Sequence, residues 1–234
     1  MSAVRSTRKI IDTMMEEASA ALSDMRFFHA ERMAKRALER AHMTGDYERM
    51  ARICLPLQEA RRLKRQEALD ANSCITLNEL PPVHSVPAPG CYLLSPPLIA
   101  MDTKELRAIC DRAAAPAIIL CREPKTSAGK WPIAAVGVAD TRPITLRIQV
   151  DPPEQLTPSW FSATLDTIGN KALERLDPKW PADHRVLDLL EFLDAVPHHE
   201  RVIQALAAAC REAAVSPLST SPRRRGILDN PWGF

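Results

Sequence analysis

The chain has 234 residues, 46% of them hydrophobic, which is enough for one large domain or two small ones with a real core. Lys and Arg number 31 against 29 Asp and Glu, so the net charge of +2 sets up no global field toward nucleic acid or anionic lipid; any such contact needs a local patch. Six cysteines without a C-x-x-C pair indicate buried thiols in a reducing compartment, not a disulfide framework. Arg5, Arg8, Lys9, Asp12, Glu16 and Glu17 interrupt any apolar signal region, and no run approaches a membrane span, so a cytoplasmic protein without a membrane partner is expected.

Composition divides the chain into four stretches. Residues 1–72 hold one glycine, Gly45, and one proline, Pro56, among Ala, Met, Leu, Arg and Glu, a composition that favours helix throughout. Ile10, Ile11, Met14, Met15, Ala18, Ala21 and Leu22 recur at helical spacing and define a first helix. Ser23 and Asp24 are N-cap types ahead of a second stripe, Phe27, Ala30, Met33, Ala34, Ala37, Leu38 and Ala41. Thr44-Gly45-Asp46 offers a C-cap glycine and a new N-cap before Tyr47, Met50, Ala51, Cys54, Leu57 and Ala60. Pro56 is expected to kink or split this third helix, because its ring meets the Arg52 carbonyl. A helical hairpin or three-helix unit results.

Residues 73–98 carry six prolines and read as a linker or extended wrap ending in a short strand at Cys91–Leu94. Residues 99–215 read as a small mixed α/β domain. Asp102-Thr103-Lys104-Glu105 has the form of a capping box, followed by a helix with Leu106, Ile109, Cys110 and Ala113 inward, then a strand at Ala117–Cys121 parallel to the first. Trp131–Ala139 and the alternation Ile144, Leu146, Ile148, Val150 suggest an antiparallel hairpin, giving a four-stranded mixed sheet. Helices opening at Thr157-Pro158, Asp183 and Pro197 cover it. The fold class expected is α+β: the helical unit, the Pro-rich linker, then the helix-covered sheet, with residues 216–234 as a flexible polar and basic tail.

The spacing Tyr47-x-x-Met50-Ala51-x-x-Cys54 resembles the first-helix pattern of a tetratricopeptide repeat, with Ala30, Ala34, Ala37 and Leu38 similar to its small-residue second helix. Met14 and Tyr47, Ala18 and Ala51, and Ala21 and Cys54 are each 33 apart, near the roughly 34 of that family. The resemblance covers residues 10–62, about one and a half repeats, and implies protein recognition, not catalysis. An ordinary Ala-rich helical hairpin gives the same spacing.

Chemical motifs are sparse. Lys125-Thr126-Ser127-Ala128-Gly129-Lys130 contains Gly-Lys after a strand, but it lacks the upstream glycine of a phosphate loop and places Trp131 where a hydroxyl is needed, so a solvated hairpin loop is expected. His198-His199-Glu200 with Asp194 and Glu191 has a metal-site composition, yet adjacent histidines point about 100° apart on a helix. A first helical turn is the expectation there. No cysteine sits in a local Cys-His signature with His84, His184 or His198, and Asp188, Glu191 and Asp194 read as the wet face of a helix. No catalytic constellation, metal site or cofactor is expected.

Two clusters point to partners. Arg49, Arg52, Arg61, Arg62, Lys64 and Arg65 face only Glu48 and Glu59 within residues 47–65, a patch that could meet phosphates in an alternative, nucleic-acid-associated role. At the end of the tail, Arg223, Arg224 and Arg225 precede Ile227, Leu228, Trp232 and Phe234, apolar anchors for a groove in cis or for another protein. A non-catalytic interaction or adaptor protein is the leading expectation; an enzyme with a dispersed site is the other alternative.

Overall fold

In the computed structural model, residues 2–138 and 143–220 are described, with side chains from Ser6 onward, and their architecture is α+β. The chain opens with α1 (Ser2–Ser23), α2 (Phe27–Met43) and α3 (Tyr47–Asp70). Among the described residues, the strands are β1 (Cys74–Leu77), β2 (Gly90–Leu94), β3 (Ala117–Arg122), β4 (Trp131–Gly137) and β5 (Ile144–Val150), with α4 (Asp102–Arg112) between β2 and β3. α5 (Pro158–Glu174), α6 (Ala182–Ala195) and α7 (Glu200–Val215) follow.

The described residues divide into two units that cut across the sequence territories: 2–63, 176–190 and 200–220 form one, and 64–175 with 191–199 form the other. The final helix therefore belongs with the first three, not with the sheet.

In the helical unit the small residues face inward. Ala18, Ala21, Ala30, Ala34, Ala37, Ala41 and Ala60 are fully buried beside Ile11, Met50, Ile53 and Leu57, so backbones approach closely where a larger stripe would hold them apart. Ser23 and Asp24 do not cap α2. The turn closes on α1 through Arg26 N donating to Ala21 O at 2.7 Å, Met25 takes φ +57, and the cap position falls on Arg26 with no side-chain bond. Asp24, two residues early, pairs with Arg26 instead. Gly45 does adopt the left-handed conformation, and Asp46 Oδ1 accepts the Arg49 N–H at 3.2 Å. Pro56 does not split α3, which runs as one helix. The carbonyl that its missing N–H leaves unserved is that of Arg52, an exposed residue.

The sheet has five strands, not four, in the order β1-β2-β3-β4-β5. The extra strand, β1, lies in the stretch read as a linker: it pairs parallel with β2, and β2 parallel with β3. β4 pairs antiparallel with β5, as the hairpin pattern predicted, and also antiparallel with β3; residues 139–142 lie outside the described residues. Ala117, Ile119 and Cys121 turn to the face where Leu106 and Cys110 of α4 meet Tyr92, Leu94, Ile75 and Leu77. Ile118 and Leu120 on the opposite face are also buried, and α5 packs against β3 and β5. Thr157 caps α5 by accepting the Trp160 N–H, with Pro158 next. The predicted capping box does not form on α4: its cap is Met101, and Asp102 reaches back to accept the Ile99 N–H at 2.7 Å.

Candidate functional site

Asp12, Met15, Glu16 and Ser19 fall at intervals that place them on one face of α1. With Arg52 of α3 they line an open pocket of about 570 Å³ in the helical unit. One wall is braced by Arg49, whose Nε and Nη2 reach the two carboxylate oxygens of Asp12 at 2.9 and 2.8 Å while Nη1 meets Asp46 at 3.1 Å. The hydrogen-bonded Arg49 guanidinium holds the Asp12 carboxyl below its usual range, outweighing the opposing effect of burial. Asp12 is thus a fixed, already neutralised anion. The exposed Glu16 and Arg52 are the charges a ligand meets first, with Met15 as an apolar surface between polar groups. Ser19 Oγ donates to the Met15 carbonyl at 3.0 Å, which leaves its oxygen as an acceptor.

The basic cluster of α3 is largely consumed inside the fold. Arg61 pairs with Glu31 at 2.8 Å, with side chains 6% and 10% exposed, and Lys64 is buried against Asp111 at 2.5 Å. Arg65 reaches Ser162 at 2.7 Å, Asp166 at 3.0 Å and the His198 carbonyl at 3.5 Å; Arg62 pairs with Glu59 at 2.7 Å. With Arg49 on Asp12, five of the six cations sit in ion pairs, and Arg52 opens on the groove. The residues do not form one free cationic face.

Other candidates disperse. Arg223, Arg224, Arg225, Ile227, Leu228, Trp232 and Phe234 lie outside the described residues. His198 and His199 are not a first helical turn: α7 begins at Glu200, and both histidines are buried in the turn before it. A Cβ on Gly169 would stand 2.2 Å from the His199 ring, so the imidazole occupies space only glycine leaves open. Glu191, read as part of a wet face, is 2% exposed, because β4 approaches α6 so closely that a Cβ on Gly137 would lie 2.1 Å from the Glu191 carbonyl oxygen. Asp194 pairs with Lys104 and accepts the Val138 N–H at 2.6 Å. Among the described residues no group of three or more His, Cys, Asp or Glu is placed to hold a metal ion. The loop after β3 closes on itself, with Thr126 N donating to Lys130 O at 3.0 Å and Lys130 N to Thr126 Oγ1 at 3.1 Å.

Burial raises every thiol: Cys54, Cys91 and Cys121 to about 12, Cys110 to about 11, and Cys74 and Cys210 also upward. None is an activated thiolate at neutral pH. No helix among the described residues is long and apolar enough to cross a membrane. The groove itself was missed by sequence reasoning, since Asp12, Glu16 and Ser19 look like ordinary solvated positions until α3 is placed beside them. Comparison with known proteins finds no matching family model, no significantly similar curated protein and no significantly similar solved structure.

Proposed function

We propose that this chain is a non-catalytic protein-interaction module that takes a short peptide segment of a partner into the α1–α3 groove. The observation that carries the reading is the groove: four residues on one face of α1 and one from α3 line an open concavity with a carboxylate, a guanidinium, a hydroxyl oxygen and a thioether in reach. α1 and α3 hold equivalent places in the 33-residue register, so the same two helices that carry the tetratricopeptide-like spacing line the pocket. The complementary peptide has an apolar side chain for Met15 flanked by a basic group for Glu16 and an acidic group for Arg52. On this reading the tail from Arg223 to Phe234 is a second contact, with Trp232 and Phe234 as anchors.

The test is to pan a displayed peptide library on the full chain and measure the selected peptides against Arg52→Glu and Met15→Glu variants. Binding about tenfold weaker in each, roughly 1.4 kcal/mol, is expected. Peptides that bind the variants as tightly as the parent place recognition elsewhere and overturn the reading.

A further inference from the structure

In the parallel pairing of β1 with β2, Cys74 stands directly opposite Cys91. Ile75, Leu77, Tyr92 and Leu94 belong to the cluster under α4, so strand alternation turns both cysteines together to the other face. The Cys91 sulfur lies 4.0 Å from the Ala68 carbonyl near the end of α3, while Cys74 is half-buried on the outermost strand. Burial raises both thiols, and each sulfur also influences the titration of the other, as expected for directly paired neighbours on one sheet face. Neighbouring strands run about 4.8 Å apart, inside the roughly 4.4–6.8 Å between Cα atoms that a disulfide spans. No other cysteine in the sheet is paired with a second: Cys121 faces Leu94 and Ala134.

We propose that Cys74 and Cys91 are a modification site, a dithiol that converts reversibly to a disulfide by exchange with a small-molecule disulfide of the glutathione class. Cys74, the more accessible, loses its proton to solvent and attacks one sulfur of the incoming disulfide. The S–S bond breaks, one small thiol leaves, and a mixed disulfide remains on Cys74. Cys91, deprotonated in turn, attacks the Cys74 sulfur and expels the second small thiol. Two electrons pass from the protein thiols to the small disulfide, which ends as two thiols. The product ties the strands together across residues 78–89, the proline-rich connection between them. Burial raises both thiols, Cys91 to about 12, so each sulfur rests protonated at neutral pH and exchange accelerates as pH rises.

The experiment incubates the full chain with graded ratios of oxidised to reduced glutathione, blocks remaining thiols and maps the peptides by mass spectrometry. The expected result is a Cys74 peptide joined to the Cys91 peptide with the loss of two hydrogen masses, reversed by reduction. Cys91→Ala is expected instead to accumulate glutathione on Cys74. A parent chain that accumulates glutathione on Cys74 without closing the link, or that keeps both thiols reduced at the most oxidising ratio, overturns the proposal. Because the decisive mapping uses the parent chain, it does not depend on how the variant folds.

Discussion

Replacing Arg61 by Met tests whether the basic residues of α3 serve the fold or a ligand. At 2.8 Å and an effective dielectric of about 20, the Arg61–Glu31 attraction is roughly 6 kcal/mol, offset by a desolvation cost of several kcal/mol for two side chains that are 6% and 10% exposed. Removing the cation deletes the attraction and leaves the Glu31 carboxylate in its buried position, so a loss of about 3–5 kcal/mol is expected. Replacing both residues by Met removes the buried charge as well, and the double variant is expected to recover most of that loss. Urea unfolding followed by circular dichroism gives both numbers from shifts in the midpoint at constant slope. A single-variant cost below about 1 kcal/mol, or a double variant no better than the single, would mean that Arg61 is a solvated cation and return it to the surface available for phosphates.

Gly137→Ala is expected to cost about 1–3 kcal/mol in the same assay, because a Cβ there meets the Glu191 carbonyl oxygen at 2.1 Å and backbone must move; an unchanged midpoint would mean that β4 and α6 are not in close contact. The Asp12 carboxyl titrates below its usual value of 3.8 when folded, so its contribution to stability is present above that value and lost as pH falls through the lowered one. Arg49→Met is expected to bring the Asp12 titration, read by NMR, back up toward the ordinary carboxylate range, and an unmoved titration refutes the assignment of its cause to Arg49.

The α+β class and most helices and strands could be read from periodicity, because their apolar spacing and their caps at Gly45, Asp46 and Thr157 are local. β1 could not. Cys74–Leu77 is four residues long, stands beside a proline cluster and becomes a strand only through its partner 17 positions on. The partners of the basic cluster were hidden for the same reason: Glu31, Asp111 and Asp166, which pair with Arg61, Lys64 and Arg65, lie 30, 47 and 101 positions away. Pro56 and the Asp102 box show the limit of local rules, since α3 runs through its proline unbroken and a cap forms only where the helix actually starts. The groove combines both difficulties, with polar residues on one helix acquiring meaning from a single arginine on another.

The strand order of the sheet repeats the order of the chain without a single insertion. Each strand can therefore join the free edge left by its predecessor as it leaves the ribosome, and none has to wedge between two strands already paired. The longest closure this requires is the segment through α4, whose own helix shortens the distance to be searched. A sheet with two parallel pairs ordinarily demands distant parts of the chain to be present together; here assembly can keep pace with synthesis, one ribbon at a time.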